Sequence, residues 1–281
     1  MNEVQRFLLE ECGIRGALVR LNETWQQVVA QHQYPPKLER LLGEAVAATV
    51  LLAIGLKGKP QVSIQLQGEG PLRLLLIQCS SEMKVRGMAQ WRPHAEGDTL
   101  LGEGRLVVNL DTGKRNGFSQ GIVPLVSPEL ETCIETYFVQ SEQLQTRLLL
   151  TSTDESAAGL LLQTLPDRGE DVIEFGQVAQ LAKALSTEEL VNERADELLV
   201  RMFSDYQIRL FKPQPVLHDC RCTPAHLANI ARMLGEEELH TILADQGKVE
   251  LTCEFCNRAF RYDESDVQAI LRGEAPAQVL H

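Results

Sequence analysis

VSIQLQGEGPLRLLLIQC, residues 62–79, decides what kind of fold this chain makes. Two short β-rich runs, Val62–Leu66 and Leu72–Cys79, flank Gly68-Glu69-Gly70-Pro71, whose composition is that of a turn. The same texture continues to Val126, with runs at Met83–Trp91, Arg105–Leu110 and Gly121–Val126. Further turns are marked by Gly97-Asp98 and Asp111-Thr112-Gly113. Upstream, Lys37–Leu56 reads as a long helix whose second half, AVAATVLLAIGL at 45–56, is almost wholly apolar. That run is well short of the ~20 residues needed to span a bilayer, so the helix belongs inside a protein core. Ile14–Leu21 has the character of a strand, and Asn22 is placed to cap a helix running to His32.

Downstream, Ser127-Pro128-Glu129 is expected to open a helix to about Gln140, with Pro128 at its first position. Strands follow at Thr146–Ser152 and Gly159–Leu165. Strands interrupted by a few helices, without regular alternation, predict an α+β fold, with a mixed α/β core domain over residues 1–168. Pro166–Gly169 looks like a boundary. Residues 169–213 then read as a charged helical linker with helices at Phe175–Leu185 and Thr187–Phe203. The second helix has one narrow apolar face, made by Leu190, Leu198, Leu199, Met202 and Phe203, so it must dock to be stable. Residues 214–281 make a small cysteine module. Helices are expected near Pro224–Leu234 and Glu236–Ala244, a strand pair at Lys248–Thr252 and Arg258–Tyr262, and a last helix started by Asp263 or Ser265.

The chain has 281 residues, is 44% hydrophobic and carries a net charge of −12. That charge argues against affinity for nucleic-acid backbones or anionic membranes, which reward clustered Lys and Arg. Met1–Gly13 is acidic and has no apolar signal-like core, so a cytoplasmic protein is expected. Of seven cysteines, Cys12, Cys79 and Cys133 are scattered through apolar segments and read as small buried hydrophobes.

The other four are grouped as Cys220-Arg-Cys222 and, after 30 intervening residues, Cys253-Glu-Phe-Cys256. Two close pairs of thiolates suit a closed tetrahedral site for one zinc ion. The segment VELTCEFCNRAFRY, 249–262, resembles a zinc knuckle, in which a hairpin turn presents both sulfurs of the CxxC. In an extended CxC the two side chains face the same way and converge on one ion. His218, His226 and His240 could each replace a ligand, but four cysteines already complete the sphere. Sulfurs ~2.3 Å from a shared zinc sit nearly twice as far apart as the ~2.05 Å of a disulfide, so metal and disulfide exclude each other. Zinc supplies ~10–16 kcal/mol of apparent folding free energy in small modules, and so short a stretch has a marginal core of its own. Oxidation should therefore expel the metal and unfold the module.

Taken together, the CxC and CxxC pairs, IRGALVRLNETW (14–25), VSIQLQGEGPLRLL (62–75), QGIVPL (120–125) and YFVQSEQLQTRLLL (137–150) resemble the 33 kDa redox-regulated heat-shock chaperone (33 kDa chaperonin) family over essentially the full length. The resemblance implies an ATP-independent holdase, not an enzyme, idle while Cys220, Cys222, Cys253 and Cys256 hold zinc. It implies activation by Cys220–Cys222 and Cys253–Cys256 disulfides, with loss of zinc and unfolding of the linker and C-terminal module. It further implies unfolded client proteins as partners, and a homodimer in the active state. Two other classes fit less well. A thiol–disulfide oxidoreductase places its CxxC at a helix N-terminus, whereas this one follows a strand. A zinc-ribbon nucleic-acid binder needs a basic surface, whereas from Cys220 onward acidic residues outnumber basic ones ten to six. No catalytic constellation is evident, and His94 beside Pro93 reads as a loop residue.

Overall fold

The computed structural model describes residues 1–30, 32–56, 61–92, 100–111, 117–165 and 172–274. His94, the Gly97-Asp98 turn, Thr112-Gly113 and the Pro166–Gly169 boundary lie outside them. The chain forms two compact units, Met1–Asp219 and Cys220–His281.

Along the first unit run β1 (Asn2–Leu9), β2 (Ile14–Leu21), α1 (Glu23–Val29), α2 (Pro36–Ala53), β3 (Gln61–Gly68), β4 (Leu72–Ser80), β5 (Lys84–Trp91), β6 (Gly104–Asp111) and β7 (Phe118–Pro124). Then come α3 (Leu130–Tyr137), a π-helical turn at Phe138–Glu142, β8 (Thr146–Ser152), β9 (Ala157–Thr164), α4 (Val172–Lys183), α5 (Thr187–Asn192), α6 (Ala195–Met202), β10 (Ile208–Leu210), β11 (Gln214–Pro215) and β12 (Leu217–His218). Among the described residues these make two six-stranded sheets. One has the order β10-β1-β2-β9-β8, with β11 also on β1; the other has the order β12-β5-β4-β3-β6-β7. The fold is α+β, as expected. The quoted stretch 62–79 is the β3–β4 hairpin, with Leu66 opposite Leu75 across the Gly68–Pro71 turn.

α2 explains the apolar run at 45–56. It packs against β8 and β9 of the first sheet and against β3, β4 and β5 of the second. Ala45, Val46, Ala47, Ala48, Val50 and Leu51 are therefore all fully buried. A helix covered on both sides has no polar face to show.

The first sheet is also covered on both faces. Ala17, Val19, Leu21 and Leu161 point into the core that contains α2. The alternate residues Ile14, Leu18, Leu160 and Leu162, with Phe7 and Leu9 of β1, meet Phe175, Val178, Leu190, Leu198, Leu199 and Phe203 of the α4–α6 segment. Gly16 permits this: a Cβ there would lie 2.1 Å from the Phe7 ring, which crosses over it and reaches Phe203 at a centroid distance of 5.4 Å.

Three local expectations are corrected. Asn22 does not cap α1 with its side chain. Its Oδ1 instead accepts from the N-terminal amine at 3.0 Å, and its amide group donates to Ser156. Pro128 is not the first helical residue of α3, because Glu129, in an extended conformation, is the N-cap. Thr187–Phe203 is not one helix, because Glu193 and Arg194 are extended between α5 and α6. The cause is Arg20 of β2, whose Nε donates to the Leu190 carbonyl at 2.6 Å and whose Nη2 donates to the Glu189 carbonyl at 3.1 Å. A continuous helix would give the Leu190 carbonyl to the amide of residue 194. The guanidinium takes that acceptor, and the helix stops.

Glu44 of α2 is a half-buried carboxyl. Burial, with help from Glu131 and against the pull of Arg40, raises its pKa from 4.5 to about 7. A carboxyl whose pKa rises on folding favours the native state in acid. That contribution is complete below 4.5 and is lost as pH climbs through about 7. Glu44→Gln is therefore expected to flatten the pH dependence of stability. The variant should be more stable than the parent at pH ~8 by up to about 3 kcal/mol and little changed at pH ~4.5, as read by denaturant titrations.

Candidate metal centre

The second unit is built around α7 (Pro224–Leu234), α8 (Glu236–Gln246), the hairpin of β13 (Val249–Thr252) and β14 (Ala259–Tyr262), and α9 (Glu264–Leu271). The CxC lies immediately before α7. Thr223 caps that helix by accepting from the His226 amide, and Pro224 occupies its first turn. The CxxC forms the turn of the hairpin. The Cys253 amide donates to the Arg258 carbonyl at 3.0 Å, and the Asn257 amide donates to the Cys253 carbonyl at 2.7 Å. Asn257 adopts a left-handed φ of 54°, which closes the turn. Asp263 and Asp266 form the capping box that starts α9, and the Tyr262 hydroxyl ties the hairpin to α7 by donating to the Pro224 carbonyl at 2.9 Å.

These elements bring the four sulfurs to one point. All Sγ atoms lie within 4.8 Å of one another. The separations are 3.4 Å for Cys220–Cys222, 3.6 Å for Cys220–Cys253 and 3.2 Å for Cys222–Cys256. Four thiolates ~2.3 Å from one tetrahedral ion would be ~3.8 Å apart, so these separations are close to what a metal requires. The chemistry of the donor set fits a soft or borderline divalent cation. Cys222 and Cys253 are buried, and they share the unit's small core with Leu227, Ala231, Leu239, Val249, Phe260 and Tyr262.

Electrostatics point the same way. Burial pushes the Cys220 thiol up to about 11, and burial with contacts to the neighbouring sulfurs raises Cys222 as well. Burial also opposes ionisation of Cys253. The amides of Cys256 and Phe255 and the Cys220 and Cys256 thiols outweigh it, so the net shift there is downward. A set with one favoured thiolate and two reluctant thiols is suited to a cation that replaces the remaining protons.

None of the three candidate histidines joins the group among the described residues. His218 lies on β12 in the first unit, where burial lowers its pKa, and His240 sits 3.7 Å from Glu236 on α8. Cys79 and Cys133 are fully buried, and Cys12 is half-buried with its thiol raised by burial. Sequence reasoning missed the structural part played by Arg20. Its signal was an arginine at the end of the apolar run Gly16–Val19, within a segment that reads as a strand.

A larger α+β unit followed by a small module with a four-cysteine group able to bind metal is the class that fold and site define. A protein-family model described as "Hsp33 protein" matches residues 2–263, a span that includes all four grouped cysteines. The 33 kDa chaperonin of Nitrosococcus oceani is 39% identical, with 99% of this chain and 97% of that protein covered. The 33 kDa chaperonin of Shewanella sediminis is also 39% identical, covering 96% of this chain and 95% of the relative. The crystal structure of the 33 kDa chaperonin (heat shock protein 33 homolog) from Thermotoga maritima is similar in fold, with a TM-score of 0.83 at 22% identity, covering 97% and 98% of the two chains. The chain belongs to the Hsp33, or 33 kDa chaperonin, family, a family of chaperones and not of enzymes. Among the described residues, no helix is long and apolar enough to cross a membrane.

Proposed function

We propose that this protein is a redox-regulated, ATP-independent holdase of the cytoplasm that binds unfolding client proteins and prevents their aggregation. Residues 1–168 serve as the chaperone core, 169–213 as the linker and 214–281 as the redox switch. In the reduced state Cys220, Cys222, Cys253 and Cys256 would hold one zinc ion, which crosslinks the CxC to the hairpin. The observation that carries this reading is that Cys222 and Cys253 belong both to the four-sulfur group and to the core of the second unit. Whatever removes those sulfurs from the group also dismantles that core.

Oxidation closes Cys220–Cys222 and Cys253–Cys256. Four thiolate sulfurs lose four electrons in forming two S–S bonds. Two molecules of a peroxide oxidant accept those electrons with four protons from solvent and leave as water. Each disulfide takes two sulfurs out of the ligand set, so the crosslink is lost and the second unit unfolds. Release of α4–α6 would then uncover Phe7, Leu9, Ile14, Leu18, Leu160 and Leu162, an apolar sheet face of the kind an unfolded client can occupy. The active form would pair with a second copy.

The test is to treat the purified, reduced, zinc-loaded protein with peroxide while following zinc release by a chromogenic chelator and client aggregation by light scattering. Zinc release and suppression of aggregation are expected to rise together, and both should reverse with dithiol and zinc. Equal suppression by the reduced, zinc-loaded protein would overturn the proposal.

A further inference from the structure

A cavity of about 450 Å³ opens in the first unit beside the C-terminal end of α2. This is within the ~300–1,000 Å³ range of small-molecule sites. Its walls are mostly aliphatic, with Ala17, Leu52, Val62, Leu110 and Leu161 contributing from α2 and from both sheets, and Tyr137 and Phe138 adding aromatic surface. Leu52 and Leu110 are only partly buried, so apolar surface is left for something to cover.

Charge is concentrated on one wall. In the β1–β2 register Arg6 is opposite Ala17 and Arg15 is opposite Leu8. Arg6 and Arg15 therefore share a sheet face as diagonal neighbours, and both line the cavity. Like charges so placed repel unless an anion lies between them. Among the described residues neither guanidinium makes an ion pair. Arg15 donates through Nε, at 3.0 Å, and Nη2 to the neutral amide oxygen of Gln163, while burial pulls its pKa down. Arg6 lies 5.3 Å from the Phe211 ring centroid, and its buried Nε has no hydrogen-bond partner. Among the described residues the one carboxylate on the lining, Glu142, belongs to an exposed residue and accepts from the Tyr137 hydroxyl at 2.9 Å. The described lining thus carries a net positive charge within a chain of net charge −12.

Two guanidinium groups at one wall and mostly aliphatic side chains on the others fit a ligand with a single anionic head and an unbranched hydrocarbon tail. We propose that this cavity binds the anion of a free fatty acid, with its carboxylate on Arg6 and Arg15 and its chain along Ala17, Leu52, Val62, Leu110 and Leu161. The site belongs to the first unit and is independent of the cysteine chemistry.

The test uses the full-length, reduced, zinc-loaded protein and laurate below its micellar concentration, followed by isothermal titration calorimetry. One laurate per chain is expected to bind. Dodecanol and dodecyltrimethylammonium, which share the chain but lack the anion, should bind at least about tenfold more weakly. The double variant Arg6→Met/Arg15→Met is expected to lose laurate affinity by a similar factor. Because that variant alters two strands, a second measurement uses the parent protein. Laurate bearing a terminal photoreactive diazirine should crosslink to residues of α2, β3, β6 or β9 that line the cavity. Equal binding of dodecanol, non-saturating binding of several laurates, or crosslinks confined to other surfaces would each overturn the assignment.

Discussion

Cys222→Ser is expected to abolish the ordered structure of residues 220–274 while the first unit keeps its fold. The sulfur of Cys222 lies 3.4 Å from that of Cys220 and 3.2 Å from that of Cys256, and its side chain is buried in the unit's core. Serine removes one of the four sulfurs proposed to hold the metal and places a hydroxyl among apolar neighbours. A module this small draws only about 3–5 kcal/mol from its core, whereas structural zinc supplies ~10–16 kcal/mol of apparent folding free energy. On the proposed zinc site the balance therefore rests on the metal. Hydrogen exchange of the full chain, reduced and with zinc in excess, should show amides of α7 and α9 losing protection while those of β2 and β9 keep theirs. Protection retained in α7 and α9 would show that the second unit stands without its fourth sulfur. Cys79→Ser serves as the control. It too is fully buried, but it belongs to the core of the first unit, where the expected cost is an ordinary ~1–3 kcal/mol with no change in zinc content.

Arg20→Met is expected to loosen α5 and α6 from the sheet without touching a cysteine. Arg20 is 3% exposed, and its guanidinium is held by two carbonyls, those of Glu189 and Leu190, together with the fields of Glu193, Glu3 and Asp196. Hydrogen bonds to a charged group contribute ~1.5–3 kcal/mol each, partly offset by the cost of desolvating the guanidinium. A net loss of about 2 kcal/mol corresponds to roughly thirtyfold more frequent local opening. Amides of 187–203 should exchange faster by that factor. If the uncovered sheet face is what holds clients, the reduced variant should also suppress aggregation that the reduced parent permits. Unchanged exchange over 187–203 would remove Arg20 from the account of the linker. Faster exchange without holdase activity would place the client surface elsewhere.

Much of the fold was legible because burial imposes its own pattern. The 45–56 run lacks charged residues because α2 is covered by both sheets, and 62–79 reads as a hairpin because Gly68–Pro71 can turn and its flanks cannot. β1 was not legible. Its sequence, NEVQRFLL, mixes charge with apolar residues because Arg6 faces the cavity while Phe7 faces α4–α6, so neither strand alternation nor a helical period stands out. The break between α5 and α6 was hidden for a different reason. Its cause, Arg20, lies 170 residues from the carbonyl it takes.

The sequence by itself determined the four-cysteine group, because metal chemistry restricts ligands to a few residue types and the CxC and CxxC each bring their own sulfurs close. It also determined the class of fold and the family resemblance. Tertiary structure decided what no spacing encodes: that Cys222 and Cys253 are core residues as well as candidate ligands, that α4–α6 are the second cover of a sheet, and that Arg6 and Arg15 meet beside an apolar cavity. The physical reason is range. Ligand pairing and helix periodicity act over a few residues, whereas burial of a face or a charge depends on which distant segment arrives to cover it.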